Sequence, residues 1–377
     1  MKRFKAHNML GVGLMSGSSL DGLDIALCSM HCVYDEQTRK VDTIELNLLD
    51  HACIAFSEDL YTKLSRADKL SVAEFVKLDK DLGVFFGISI KKFLQKRPEQ
   101  KVDFIASHGH TVLHEPKHGY SCQIGSLSHI AAHAGLKTIG DFRNMDMAYG
   151  GEGAPMAPLI DKYVFPNTDI FLNLGGIANV SYAHGDKFWG YDIAPANQFF
   201  NQLALKMGFP FDDGGAIAAR GKVQIGLLNQ LEALDFFSLE GPKSLDNIEI
   251  REQMWPIVDT FDASVSDKLA TCVRLLVRQF EKSILHYLSF NPDGKTISIF
   301  ISGGGAKNTF LVDQLLNLSC EKYKLVNHQA DPAISDMKEA MLMVLAGGLR
   351  ILELPNVFSS VTGADRDSVG GGIFYPK

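Results

Sequence analysis

Three glycine-rich turns, each following an apolar run of strand character, constrain this chain more than any other feature. The first is Gly13-Leu14-Met15-Ser16-Gly17-Ser18-Ser19-Leu20-Asp21-Gly22-Leu23-Asp24, entered from Met9 to Leu14. The second is Asn173-Leu174-Gly175-Gly176-Ile177-Ala178-Asn179-Val180-Ser181, entered from Ile170 to Leu172. The third, Ser302-Gly303-Gly304-Gly305-Ala306-Lys307-Asn308, comes after Ile297 to Ile301 and leads into a helical pattern. Glycines let backbone N–H groups converge on an anion, and hydroxyls add further donors. One such turn is as often an ordinary hairpin as a phosphate loop. Recurrence of the form favours two halves that face one polyphosphate. The chain has no G-x-x-x-x-G-K-[ST] loop, and the first two turns lack the G-x-G-x-x-G spacing of a dinucleotide fold.

Between the turns the pattern reads as two loosely repeated units. In the first, Met9 to Leu14, Leu23 to His31 and Val41 to Leu49 are predicted strands. Ser57 to Lys63 and Ser71 to Lys96 are predicted helices, the latter with Phe75, Leu78, Leu82, Phe85 and Phe86 near helical period. Phe104 to Ala106 is a strand ending in Ser107-His108-Gly109-His110-Thr111; a helix from Ser126 to His133 and a strand from Lys137 to Gly140 come next. In the second, Ile170 to Leu174, Val180 to Ala183 and Phe188 to Asp192 are strands, and Asn197 to Met207 is a helix. Ser264 to Phe290 is a long helix, Ile297 to Ile301 a core strand, and Phe310 to Ser319 and Lys338 to Leu352 are helices. Three strands and then alternating helices and strands imply mixed α/β sheets with helices against them. The Gly- and Pro-rich stretch from Asp141 to Pro158 reads as the boundary.

At 377 residues the chain is long enough for two sizeable cores, and 46% hydrophobic with 21% charged residues is a globular composition. A formal net charge of −7 with no long basic run argues against a nucleic-acid partner, so an anion site must be built locally. The six cysteines form no C-x-x-C pair and no small disulfide framework, as expected of reduced thiols in a cytosolic protein. Met1 to His7 is basic, but the run from Asn8 to the first glycine turn reads as an opening strand, not a signal peptide. No apolar stretch is long enough to predict a membrane span.

Other motifs carry chemistry of their own. Asp141-Phe142-Arg143-Asn144-Met145-Asp146 precedes Gly150-Gly151-Glu152-Gly153-Ala154-Pro155. Carboxylates beside a flexible turn can hold a metal, orient a sugar hydroxyl or act as a general base, and an Asp–Arg pair can also simply pin a loop. His108, His110 and His114 lie close enough for a zinc site, yet nothing completes the ligand set, so hydrogen bonding to a substrate or loop packing is favoured. Asp192 ends a strand, where it can hold Mg²⁺ through water or cap the next helix. Glu339 is expected at the start of the last helix, where an acid suits the helix dipole.

Taken together these motifs resemble those of the anhydro-N-acetylmuramic acid kinases. The matching runs are Met15 to Gly22, Ser107 to Val112, Asp141 to Asp146, Gly150 to Pro155, Asn173 to Asn179, Ser302 to Asn308, Lys338-Glu339-Ala340 and Ser360-Val361-Thr362-Gly363-Ala364. They occur in family order over nearly the whole chain. The resemblance implies an actin-like ATPase fold: two ribonuclease-H-like domains, with ATP in the cleft between them. The first domain is expected over 1–148, completed by 357–377, and the second over 149–356.

The reaction implied is hydrolytic opening of 1,6-anhydro-N-acetylmuramic acid with phosphorylation of the freed O6, a step of cell-wall recycling in the cytoplasm. Asp146 matches the base that activates water. ATP would be held by Gly13, Ser16, Gly17, Ser18, Ser19, Asp21 and Gly22, by Asn173, Gly175 and Gly176, and by Gly303, Gly304, Gly305 and Asn308. Mg²⁺ would be held by Asp21 and Asp192, and the sugar by His110, Arg143 and Glu339. No nucleic-acid or membrane partner is expected, and a homodimer is compatible with this reading. The chain departs from the family at Ser18 (usually Thr), His110 (Gln), Ala194 and Ala196 (glycines) and Asn201 (Asp). The rival readings are a kinase of another anhydrosugar, such as levoglucosan, and a nucleotide-gated binding protein without catalysis.

Overall fold

The computed structural model describes residues 3–17, 20, 22–165, 167–184, 187–239, 243–245, 249–292, 296–320, 322–328 and 332–376. The chain forms two compact units. One comprises Met1–Pro166 with Asp331–Lys377, and the other Asn167–Ala330.

The first unit is built on strands β1 (Phe4–Ser16), β2 (Gly22–Asp35), β3 (Val41–Ala55), β4 (Phe104–Glu115), β5 (Tyr120–Ile124), β6 (Thr138–Gly140) and β12 (Gly372–Phe374). Their order is β12-β6-β4-β1-β2-β3, with β5 paired to β4. The strands β1, β2 and β3 form an antiparallel meander, while β4 runs parallel to β1 and β6 parallel to β4. This is the ribonuclease-H-like order. Both faces of the sheet are covered, and the period-2 alternation of the strands sorts side chains between them. Val12, Leu14, Leu23, Ile25 and Leu27 pack with Leu78, Leu82, Phe86 and Ile90 of the helix Val72–Gln95. That helix opens with a capping box formed by Ser71 and Glu74, the sequence signature of a helix start. The intervening Ala26, Cys28 and Met30 face the other layer, where Val344, Leu345 and Leu349 belong to the helix Pro332–Ile351.

The second unit repeats the plan with β7 (Ile170–Leu174), β8 (Ile177–His184), β9 (Lys187–Pro195), β10 (Thr296–Ser302) and β11 (Lys324–Asn327), in the order β11-β10-β7-β8-β9. Again three strands form an antiparallel meander, and β10 and β11 extend it in parallel from β7. The helix Val265–Phe290 lays Leu269, Val273, Leu276, Phe280 and Ile284 against Ile170, Leu172, Val180 and Ile297.

The unit boundaries differ from the expected domain limits of 148 and 357. The chain leaves the first unit at Pro166 and returns at Asp331, because the helices Ala157–Val164 and Pro332–Ile351 pack with one another and with the first sheet. The strand predicted to end at Ala106 continues to Glu115 as β4, carrying Gly109 within it at φ +75°. Among the described residues, no helix is long and apolar enough to cross a membrane.

Candidate active site

Asp146 lies in the short helix Asn144–Ala148 and is fully buried. Its Oδ1 accepts the Thr362 hydroxyl at 2.7 Å, and its Oδ2 accepts the Gly153 N–H at 2.8 Å. Its backbone carbonyl accepts the N–H groups of Tyr149 and Gly151. The turn through Gly150 to Gly153 therefore wraps the carboxylate, and a Cβ on Gly151 would collide with Oδ2. Burial raises the Asp146 pKa above its ordinary value, against the lowering by Thr362 and Gly153. Each carboxylate oxygen can accept more than the one hydrogen bond it has here.

Arg143, one helical turn earlier, supports that turn from outside. Its Nη1 donates to the Gly153 carbonyl at 3.3 Å, and its Nε and Nη2 reach His108 Nε2 at 3.1 and 3.0 Å. An imidazole that accepts at Nε2 must carry its proton on Nδ1, which faces the Gly109 carbonyl at 3.2 Å. Burial and the neighbouring guanidinium hold His108 down at about 3, so the ring is neutral. Burial also lowers Arg143 to about 10.

Glu339 belongs to the same unit but not to a helix start. The helix begins at Pro332, so Glu339 lies well inside it. Its side chain is open to water yet crowded by protein, which raises its pKa; Asp24 adds to the rise, and Lys338 and Arg143 oppose it. Neighbouring Lys338 is buried with Asp161 in an ion pair of 2.5 Å.

The histidines do not share a centre. His110 Nδ1 lies 3.2 Å from Ser16 Oγ, His114 Nδ1 lies 3.1 Å from Ser121 Oγ, and His108 is held by Arg143. Among the described residues, no group of three His, Cys, Asp or Glu side chains is placed to hold a metal ion. Ser16 ends β1, at the rim of the first turn, and is buried.

Gly13 has a packing task in the first unit. It lies inside β1, fully enclosed, and a Cβ there would strike the Ala340 carbonyl of the helix Pro332–Ile351. Close packing against that helix is by itself reason for a glycine here. Gly22 begins β2, and a Cβ on it would come within 2.5 Å of the Ile54 carbonyl, so it too serves strand packing. Gly17 is half-buried beside Leu20, whose N–H closes the turn onto the Gly17 carbonyl at 3.3 Å. Ser18, Ser19 and Asp21 lie outside the described residues.

In the second unit the structure brings the second and third glycine turns together. A Cβ on Gly303 (φ +83°) would stand 2.7 Å from Asn173 Oδ1 and 2.8 Å from the Leu174 carbonyl, and one on Gly305 would stand 2.7 Å from Leu174 Cβ. The carbonyls of Gly175 and Gly176 accept the N–H groups of Ala196, Asn197 and Gln198, at the start of the helix Asn197–Leu205. Asn197 Nδ2 donates to the Leu174 carbonyl at 3.0 Å. Asn308 caps the helix Thr309–Leu316 through Leu311 N at 3.0 Å. Gly304 is exposed beside these groups. Asp192 stands in β9 opposite Asn179, which itself pairs with Asn173; its Oδ2 accepts the Leu245 N–H at 2.9 Å and its own N–H donates to the Lys243 carbonyl, so it fixes the 243–245 segment to β9.

Two elements carry contacts that sequence reasoning assigns to neither. Thr362 stands in the sequence only as part of a motif, although a hydroxyl in a Val-Thr-Gly turn is a donor available to a buried carboxylate. The run Asp212-Asp213-Gly214-Gly215 meets the third turn, with the Thr309 hydroxyl donating to the Gly214 carbonyl at 3.1 Å. Its Asp-Asp-Gly-Gly composition is the signal that could have found it.

A model of the anhydro-N-acetylmuramic acid kinase family matches residues 9–376. The chain is 32% identical over 384 residues to the anhydro-N-acetylmuramic acid kinase of Shewanella putrefaciens, covering 98% of this chain and 100% of that one. To the Haemophilus influenzae protein of the same name it is 33% identical over 392 residues, with 97% of each covered. To that of Gloeobacter violaceus it is 32% identical over 375 residues, covering 95% of this chain and 96% of that one.

Proposed function

The chain belongs to the anhydro-N-acetylmuramic acid kinase family, and from that premise we propose how its residues divide the work of an ATP-dependent kinase. The reaction opens 1,6-anhydro-N-acetylmuramic acid with water and phosphorylates O6, yielding N-acetylmuramic acid 6-phosphate in cell-wall recycling. We place it in the cytoplasm.

Asp146 takes the proton of the attacking water as the new C1–O bond forms. The C1–O6 bond breaks with its electron pair passing to O6, which takes the γ-phosphoryl group of ATP as the bond from the γ-phosphorus to the bridging oxygen breaks and ADP leaves. The observation that carries this reading is the carboxylate buried between Thr362 and Gly153, with its pKa raised. A base with a raised pKa is a stronger acceptor near neutral pH. Full burial requires the glycine turn to open before water reaches it, and Gly150 to Gly153 supply that freedom. Arg143 positions the turn through Gly153, and His110, Arg143 and Glu339 contact the sugar.

Ser16, Gly17, Ser18 and Ser19 bind ATP phosphates. Asn173, Gly175 and Gly176 are further phosphate contacts, while Gly303, Gly304, Gly305 and Asn308 meet the nucleoside. A divalent ion, Mg²⁺, is the expected counter-charge to the phosphates. Mg²⁺ keeps several waters and needs only one or two protein carboxylates. Asp192, whose Oδ2 accepts the Leu245 N–H, and Asp21 are the candidates to hold it through water. When bound, the ion would neutralise charge on the transferring phosphoryl group.

The test is turnover in ¹⁸O-water with ATP and either 1,6-anhydro-N-acetylmuramic acid or levoglucosan, with product analysis by mass. The label is expected at the C1 hydroxyl of a phosphorylated amino sugar. Label in phosphate with none at C1 would mean ATP hydrolysis alone, and turnover of levoglucosan only would move the substrate.

A further inference from the structure

The second unit holds a cavity of about 500 Å³ bounded by β9, the short helix Asp235–Ser238 and the helix Val265–Phe290. None of its lining residues is among those assigned above to ATP, the metal ion or the sugar. One wall is apolar, formed by the buried Tyr191 and Phe237. At its rim Leu239 and Leu285 are 56% and 55% exposed, large apolar side chains facing water beside a concave surface.

The polar groups that converge on the cavity are donors. Lys243 Nζ gives hydrogen bonds to the carbonyls of Phe236 (2.9 Å) and Leu239 (3.2 Å), and an ammonium has a third proton to give. Lys282 Nζ makes only a long contact, 3.4 Å, with the Phe237 carbonyl. Among the described residues neither lysine is paired with a carboxylate. They instead lie within each other's field: burial, then the charge of Lys282, brings Lys243 down to about 8. Gln279 is 3% exposed, and among the described residues its Nε2 has no hydrogen-bond partner. Capping of the carbonyls of the short helix accounts for the two ammonium groups. It does not account for a buried amide left unsatisfied at the same cavity, an arrangement that costs stability unless something fills it.

We propose that this cavity binds a small amphipathic organic anion, its carboxylate or phosphate head held by Lys243, Lys282 and Gln279 and its apolar body lying on Tyr191, Phe237 and the two rim leucines. Its size suits a small organic molecule.

The experiment is calorimetric titration of the full chain with phenyl phosphate, benzoate and benzyl alcohol, in the presence of a saturating non-hydrolysable ATP analogue to occupy any nucleotide site. One-to-one binding of an anion with Kd below about 1 mM is expected, with the neutral alcohol at least about tenfold weaker. Tighter phenyl phosphate assigns a phosphate ester, and tighter benzoate a carboxylate. Lys282 is exposed, so Lys282→Met is expected to keep the fold, checked by its melting temperature, and to lose about tenfold in affinity; Lys282→Gln replaces it should that fold fail. Gln279→Met is expected to weaken binding while leaving the melting temperature unchanged or higher, which a merely structural glutamine would not do. Absence of saturable binding by either anion, or equal binding by the Lys282 variant, overturns the proposal.

Discussion

The two units share a strand order yet furnish the loops at the ends of their strands differently. In the first, the polar groups gathered behind the glycine turn are ionisable: Asp146, Arg143, His108, and the buried pair Lys338–Asp161. In the second, neutral amides, Asn173, Asn197 and Asn308, stand around the glycines, bonded mainly to backbone, and the nearby Asp212 is held by the N–H groups of Ile217 and Ala218. The difference separates two tasks. Moving a proton needs a titratable group held away from its ordinary pKa, which burial among fixed donors provides. Holding a neutral base and ribose needs close backbone and donors that do not change with pH. On the roles proposed above, one topology would carry a proton site and a docking site by changing what its loops bury.

The largest effect expected from breaking this contrast is on turnover. Asp146→Asn keeps the size of the side chain but cannot take the proton of water, and it should cost about 10²–10⁴ in kcat while ATP binding survives. A comparable loss of kcat from Asn308→Ala, with normal nucleotide affinity, would erase the distinction. Next comes stability. Lys338→Met leaves Asp161 buried without its cation and should destabilise the first unit by about 3–5 kcal/mol. Asn308→Ala removes a helix cap and should cost the second unit only about 0.5–2 kcal/mol. Hydrogen exchange measured separately in the two units checks both values.

The smallest effect is in pH dependence. His108 is held near 3 in the folded chain against an ordinary 6.5, so its contribution is complete above 6.5 and is lost as pH falls from there towards 3. Asp146 has the opposite sign: raised by burial, it favours the folded state below its ordinary value and loses that contribution as pH rises through its folded value. His108→Gln should therefore flatten the acid slope of stability in the first unit and leave the second unchanged. An equal change of slope in both units would show that the histidine is not the local cause.

Much of the molecule is legible in its sequence, and the misses have physical reasons. The repeated strand pattern and the glycine turns point to two mixed sheets, and the run Asp141 to Asp146 to a carboxylate beside a flexible turn. The packing role of Gly13 is not legible, because a glycine that admits a helix and one that admits a phosphate look alike in one dimension; the Ala340 carbonyl opposite it appears only in the fold. Glu339 is expected at a helix start because Pro332, Ser335 and Asp336 have loop composition, whereas proline suits the first helical turn. Gly109 suggests a strand end at Ala106, yet β4 absorbs its positive φ without ending. Thr362 lies in sequence far from the aspartate it holds, a pairing that local pattern cannot carry.

The helix Pro332–Ile351 meets β1 at Gly13 and supplies one face of the first core. Almost everything between those two elements in the chain beyond Pro166 belongs to the other unit. During synthesis, at about 5–20 residues per second, the N-terminal sheet leaves the ribosome with one apolar face covered only in part, by the helix Ala157–Val164. It must wait on the order of 10 s while an entire foreign unit is made. The second unit, continuous in the chain, is free to fold in that interval. The order of completion on the ribosome is then the reverse of the order in the gene, and the waiting sheet, with Ala26, Cys28 and Met30 uncovered, is the nascent surface on which a chaperone would act.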